Sequence, residues 1–82
     1  MKVGTVTGSV WATKKCPALT GQSLLRVRVG QEELIAADLV GAGEGERVIL
    51  AFGSAARLVR PNTPADAAIV AILDEQTPPV EA

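Results

Sequence analysis

In Leu25-Arg26-Val27-Arg28-Val29 apolar and charged residues alternate without a break, and a period of two belongs to a strand with one buried face. Strand-like runs recur along the whole chain. Lys2 to Thr13 is rich in Val and Thr, and Glu33 to Val40 reads as the returning strand of a hairpin turned at Gly30-Gln31. Val48 to Phe52, after Arg47, and Ala67 to Leu73 are continuously apolar, the pattern of strands covered on both sides. Only Gly53-Ser54-Ala55-Ala56-Arg57-Leu58-Val59 reads as a helix, one or two turns long, with Ser54 placed to cap its free amides. Five strands and one short helix leave no room for repeated βαβ units. The expected fold is therefore mostly β: a small five-stranded antiparallel barrel, partly open and OB-like.

Within the first run, Val6, Gly8, Val10 and Ala12 share one parity, while Thr5, Thr7, Ser9 and Trp11 share the other. Gly4 and Gly8 would weaken a flat strand, so they are read as marks of a bulge, a tight bend or the close approach of another backbone. Lys14-Lys15-Cys16-Pro17 and Thr20-Gly21 form a surface loop, and Pro61 and Pro64 stop the helix and open another. Residues 1–76 are assigned to one barrel domain. The proline-rich stretch 77–82 is assigned to an extended or mobile tail.

Eighty-two residues suffice for one core, because a chain this short buries only roughly 60 to 65% of the surface that it exposes when unfolded. With one Trp and one Phe, that core must be built from Val, Ile, Leu and Ala. Oligomerisation is a common way to stabilise such small aliphatic cores. Nine acidic and eight basic residues are mixed along the chain, which gives no broad positive field for nucleic acid. No apolar run approaches the roughly 18 to 20 residues of a membrane span, and the Met1-Lys2-Val3 start lacks the apolar h-region of a secretory signal. The expectation is a cytosolic protein bound to neither nucleic acid nor membrane.

The candidate chemical motifs all have simpler readings. Gly41-Ala42-Gly43-Glu44-Gly45-Glu46 is glycine-rich, yet it leads into a strand and carries two carboxylates that would repel a phosphate. There is no His to serve as a general base or metal ligand, and the single Cys16 cannot form an internal disulfide. Asp38, Asp66 and Asp74 read as strand-end or turn residues that bond local amides. No catalytic, cofactor-binding or metal site is assigned, and no enzymatic activity is expected. Trp11, with Arg26 and Arg28 nearby, could form a small base-stacking platform in an OB-type binding module. One aromatic on a nearly neutral chain makes a poor platform, so Trp11 is assigned to a subunit interface, where Trp is enriched.

Taken in order, these segments resemble the EutN/CcmL family of microcompartment (carboxysome and metabolosome) shell vertex proteins. The resemblance rests on Met1 to Lys15, Pro17 to Leu25, Asp38 to Val48, Gly53 to Arg57 and Pro64 to Asp74. Two features depart from the family pattern: the turn at Gly30-Gln31 is shorter than the hairpin loop of many members, and Cys16 stands where an acidic residue is common. The resemblance implies a structural OB-like barrel that assembles as a homopentameric ring and caps the five-fold vertices of a shell in the bacterial cytoplasm. It further implies hexameric and trimeric shell proteins as partners. In such a ring Gly41, Gly43, Glu44, Gly45, Glu46, Gly53, Ser54, Ala55 and Arg57 are the candidate interface or pore residues. Arg57 is expected either to pair with a carboxylate such as Glu44 or Glu46 of the next subunit or to be solvated.

Overall fold

The computed structural model describes residues 1–59 and 64–74, except for the side chains of residues 57–59. The expected helix stop at Pro61 and the tail at 77–82 lie outside those residues. The element order is β1 (Lys2–Ser9), a 3-10 turn (Pro17–Leu19), β2 (Leu24–Val29), β3 (Glu32–Asp38), β4 (Arg47–Phe52), α1 (Gly53–Val59) and β5 (Ala67–Ile72). Ser54 therefore sits inside the first turn of α1 rather than ahead of it. The five strands close into a barrel in the order β1-β2-β3-β5-β4, with β4 returning to β1.

The expected all-antiparallel, partly open sheet is corrected in two respects: the barrel is closed, and β3 runs parallel to β5 through Ala37↔Ala68 and Asp38↔Ile69. The reason is one of parity. Strand directions cannot alternate all the way round a ring with an odd number of members. The contact that completes the five-membered ring is therefore parallel, while the other four are antiparallel.

Hairpin β2–β3 turns in two residues, with Val29 opposite Glu32 and Gly30 at φ 61°, as the Gly30-Gln31 reading expected. Its alternation places Leu25 and Val27 inside and both arginines outside. The core joins Val6, Leu25, Val27, Ala36, Val48, Leu50, Ala67 and Ile69 from all five strands. Among these, Val27, Val48, Leu50 and Ile69 are completely buried.

Strand β1 departs from simple alternation. Its register against β2 shifts between Val6 and Gly8, so Val6 faces Val27 inside while Gly8 sits opposite Arg26. A Cβ on Gly8 would meet the Arg26 guanidinium at 3.2 Å, on the outer face. The parity expected to carry Val6, Gly8, Val10 and Ala12 inward together is thus broken by a bulge. Gly4 serves the other purpose expected of these glycines. A Cβ there would lie 2.6 Å from Val27 Cγ1 and 2.9 Å from the Arg28 carbonyl oxygen, so β1 and β2 approach closely only because that side chain is missing.

A second cluster consists of alanines: Ala37, Ala51 and Ala68 on three adjacent strands lie under Ala56 of α1. Small side chains on both surfaces let this short helix sit close to the sheet. Ala56→Leu is expected to lower stability by about 1–2 kcal/mol through overpacking, read as a lower urea midpoint. An unchanged midpoint would show that the helix can shift without loss.

The helix covers only part of the sheet. Ala51 and Ala68 are buried beneath it, but Ile49 and Ala71 remain partly exposed and Ile72 is exposed. The expectation that β4 and β5 are covered along both faces therefore holds, among the described residues, only where α1 lies. Opposite Ile49 on β1 stands the half-buried Val3.

Candidate functional site

Two loops leave the same end of the barrel, and backbone bonds tie their bases together. Residues 10–23 connect β1 to β2 and residues 39–46 connect β3 to β4. The Asp38 N–H donates to the Ser23 carbonyl at 2.9 Å. The Gln22 amide, almost wholly buried, adds two bonds from Nε2, to the Ser23 carbonyl at 2.9 Å and the Asp38 carbonyl at 3.1 Å. The sequence reading passed over Gln22, because a polar residue beside Gly21 in a loop carries no burial signal.

The glycine-rich loop is organised by carboxylates. Asp38 accepts from the backbone N–H groups of Val40, Gly41 and Ala42 at 3.0–3.2 Å, the local amide bonding expected of a strand-end Asp. The Glu46 carboxylate accepts from Gly43 N–H at 2.7 Å, and its own N–H donates to the Gly43 carbonyl at 3.1 Å. Gly41 and Gly45 take φ values of 76° and 88°, a left-handed conformation in which any Cβ is strained. The segment is then stitched to β1, with Gly45 N–H donating to the Val6 carbonyl and Val6 N–H to the Glu46 carbonyl. Ala42 turns inward against the core, while Gly41, Gly43, Glu44 and Gly45 stay exposed.

Among the described residues the Glu46 carboxylate bonds its own loop through Oε1 alone, and both Glu44 and Glu46 stay exposed. The Arg57 side chain lies outside the described residues.

Gly53, Ser54 and Ala55 stand at the far end of β4 from the glycine loop, with Gly53 N–H donating to the Asp66 carbonyl at 2.8 Å. Ser54 and Ala55 are exposed. The predicted contact residues therefore form two separate patches rather than one site, with the six residues of β4 between them.

Trp11 is not on a strand face. β1 ends at Ser9, and Trp11 lies in the loop beyond it with 94% of its surface exposed. The small platform with Arg26 and Arg28 does not form: Arg26 lies against Gly8 and 3.9 Å from Glu33. The cation–π contact among the described residues is instead Lys2 Nζ, 5.7 Å from the Phe52 ring centre. The same loop carries Lys14 and Lys15 and no carboxylate from Val10 to Ser23, and Cys16 on it is exposed. Among the described residues no three His, Cys, Asp or Glu side chains gather as metal ligands would. Among them, too, no helix is long and apolar enough to cross a membrane.

What this arrangement offers is preformed, exposed backbone and one bare aromatic, which suit contact with another protein surface better than chemistry. Comparison with known proteins agrees. The bacterial microcompartment shell vertex protein PduN of Salmonella typhimurium is 43% identical over 89 residues, covering 90% of this chain and 96% of that protein. The carboxysome shell vertex protein CcmL of Synechococcus elongatus is 42% identical over 83 residues, covering 90% of this chain and 84% of its own. The solved structure of a pentameric shell protein from the RMM microcompartment superposes with a TM-score of 0.88 at 34% identity, each chain covered in full. Residues 1–74 match the family described as "Ethanolamine utilisation protein EutN/carboxysome". The chain belongs to this EutN/CcmL family of shell vertex proteins, which are structural components of microcompartments and not enzymes.

Proposed function

We propose that the chain forms a homopentamer that caps the five-fold vertices of a bacterial microcompartment shell in the cytoplasm, beside hexameric and trimeric shell proteins. The observation that carries this reading is the end-to-end match to a pentameric shell protein, at a TM-score of 0.88 over the whole of both chains. The separation of the candidate contacts supports it. A cyclic ring joins two different patches of each subunit head to tail, and the glycine loop and the Gly53–Ala55 turn lie at opposite ends of β4. Native mass spectrometry at micromolar protein is expected to give a pentamer. Monomers alone would overturn the reading.

Within that ring the residues proposed to meet a neighbour or line the central opening are Gly41, Gly43, Glu44, Gly45 and Glu46, together with Gly53, Ser54, Ala55 and Arg57. Gly43→Leu separates assembly from folding. Gly43 has no positive φ, and a Cβ there would meet only Glu46 Oε1, at 3.5 Å, an ordinary contact. The variant is expected to keep its circular dichroism spectrum while its pentamer dissociates at a protein concentration at least about tenfold higher, a factor of about 10⁴ in the five-body dissociation constant and so ~5.5 kcal/mol per pentamer. Loss of the folded subunit along with the ring would refute this placement of the loop.

A further inference from the structure

Three observations leave both ends of β1 incomplete in a single chain. First, β4 and β5 carry the continuous apolar sequence of doubly covered strands, yet outside the cover of α1 the outer side chains Ile49 and Ala71, paired across the strands, stay partly exposed. Second, this outer row continues to Val3, opposite Ile49, and opens into a mainly apolar hollow of about 440 Å³ lined by Met1, Lys2, Val3, Val29 and Ile49. Third, Trp11 at the other end of β1 is 94% exposed. A bare Trp and a bare apolar hollow are complementary in kind. They cannot meet within one chain, because the eight residues of β1 hold them on the order of 20 Å apart.

Charge points the same way. The Trp11 loop carries Lys14 and Lys15 and no acid. Beside the hollow, Glu32 stands opposite Val29 at the hairpin end, exposed and without an ion pair among the described residues. Area sets the scale. A buried Trp contributes 150–250 Å², a substantial part of the roughly 800 Å² that each partner gives to a stable interface. The glycine loop, at the same end as Trp11, could supply more.

We propose that Trp11 of each subunit inserts into the Met1/Val3/Val29/Ile49 hollow of its neighbour, with Lys14 or Lys15 facing the neighbour's Glu32. This rests on the pentamer reading and adds to it which surfaces meet. Trp11 and the hollow are then the two unlike halves of one head-to-tail contact, and repetition of that contact closes the ring. The remaining partial exposure of β4 and β5 is explained by the neighbour's indole and loop. Lys2, already over Phe52, lies at the edge of the hollow, where its ammonium can also reach the inserted indole face.

The test is a disulfide ladder. In a Cys16→Ser background, the chain carrying both Trp11→Cys and Val3→Cys is oxidised and run without reductant. The expected result is covalent dimers rising to pentamer, with no ladder from Thr5→Cys paired with Trp11→Cys. A ring that is intact by native mass spectrometry but gives no ladder beyond this control overturns the contact while leaving the pentamer standing. A parent chain that is monomeric overturns both. Should the cysteine pair itself fail to assemble, acrylamide quenching of Trp11, the sole tryptophan, in the Cys16→Ser ring decides. Quenching several-fold weaker than in the urea-unfolded chain supports insertion, and quenching as strong as in the unfolded chain overturns it. Thiol labelling of Val3→Cys identifies the occupant of the hollow. Protection that disappears with Trp11→Ala supports the proposal, and protection that instead disappears on removing residues 75–82 assigns the hollow to the chain's own tail and overturns it.

Discussion

Gly4→Leu is expected to destroy the folded barrel or to lower its stability by about 3 kcal/mol or more, the upper end of what overpacking a close-packed interior does. Gly4 is buried within β1, and even a methyl group there would sit 2.6 Å from Val27 Cγ1, 2.9 Å from the Arg28 carbonyl oxygen and 3.1 Å from Val29 Cγ2. The partly buried Val29 side chain can turn aside for a methyl group. The Arg28 carbonyl cannot retreat without straining its neighbours, and a leucine adds three more carbons in the same direction. Val27 also has nowhere to go, being completely buried in the central core. For a chain of this size, about 3 kcal/mol corresponds to a fall in melting temperature of roughly 12–24 °C. Measurements belong at one protein concentration, because assembly adds stability by mass action. A melting temperature within a few degrees of the parent would show that the β1–β2 spacing is not the constraint inferred from Gly4.

The second large effect is expected at Asp38. Its carboxylate gathers three consecutive backbone N–H groups, those of Val40, Gly41 and Ala42, and so fixes the start of the glycine loop. Asp38→Ala is expected to lower stability by about 2–3 kcal/mol, less than three charge-assisted bonds would suggest. Val40 and Gly41 are exposed, and water replaces part of what they lose. The Ala42 N–H is less readily resatisfied, since Ala42 packs against the core. Asp38→Asn keeps an acceptor oxygen and should recover about half of the loss. Hydrogen exchange is the direct check: the amides of residues 40–42 should lose protection in Asp38→Ala while those of β2 largely keep theirs. Unchanged exchange there would mean that the loop holds its shape without the carboxylate. Because the loop is a proposed subunit contact, pentamer formation should fall by more than the subunit's own stability does.

Both sites show how far the one-dimensional pattern reaches. The alternation of Leu25 to Val29, the turn at Gly30-Gln31, the apolar run to Phe52 and the helix at Gly53 to Val59 could be placed from sequence because each is fixed by neighbours in the chain. Strand period, turn chemistry and helix start are all local. Asp38 was legible too, as a strand-end residue bonding nearby amides, since its partners lie only two to four residues away. The two glycines of β1 were legible as kinds of exception, though not as which exception was which.

The rest needed the closed barrel. Sequence counted five strands but could not show that closing an odd ring makes β3 and β5 parallel, because closure is a property of the whole set. The bulge at Thr7 turned Gly8 outward and broke the parity of β1, since register is set by the partner strand. Gln22 became a buried clamp, and Trp11 a bare aromatic off the sheet, only once the loops were folded over the same end. What the sequence determined by itself was therefore the elements, together with a residue inventory that holds no His and a single Cys, which depend on residue type and short-range spacing. Tertiary structure alone decided which apolar positions β4 and β5 leave uncovered, because burial is a relation between distant segments that no local period encodes.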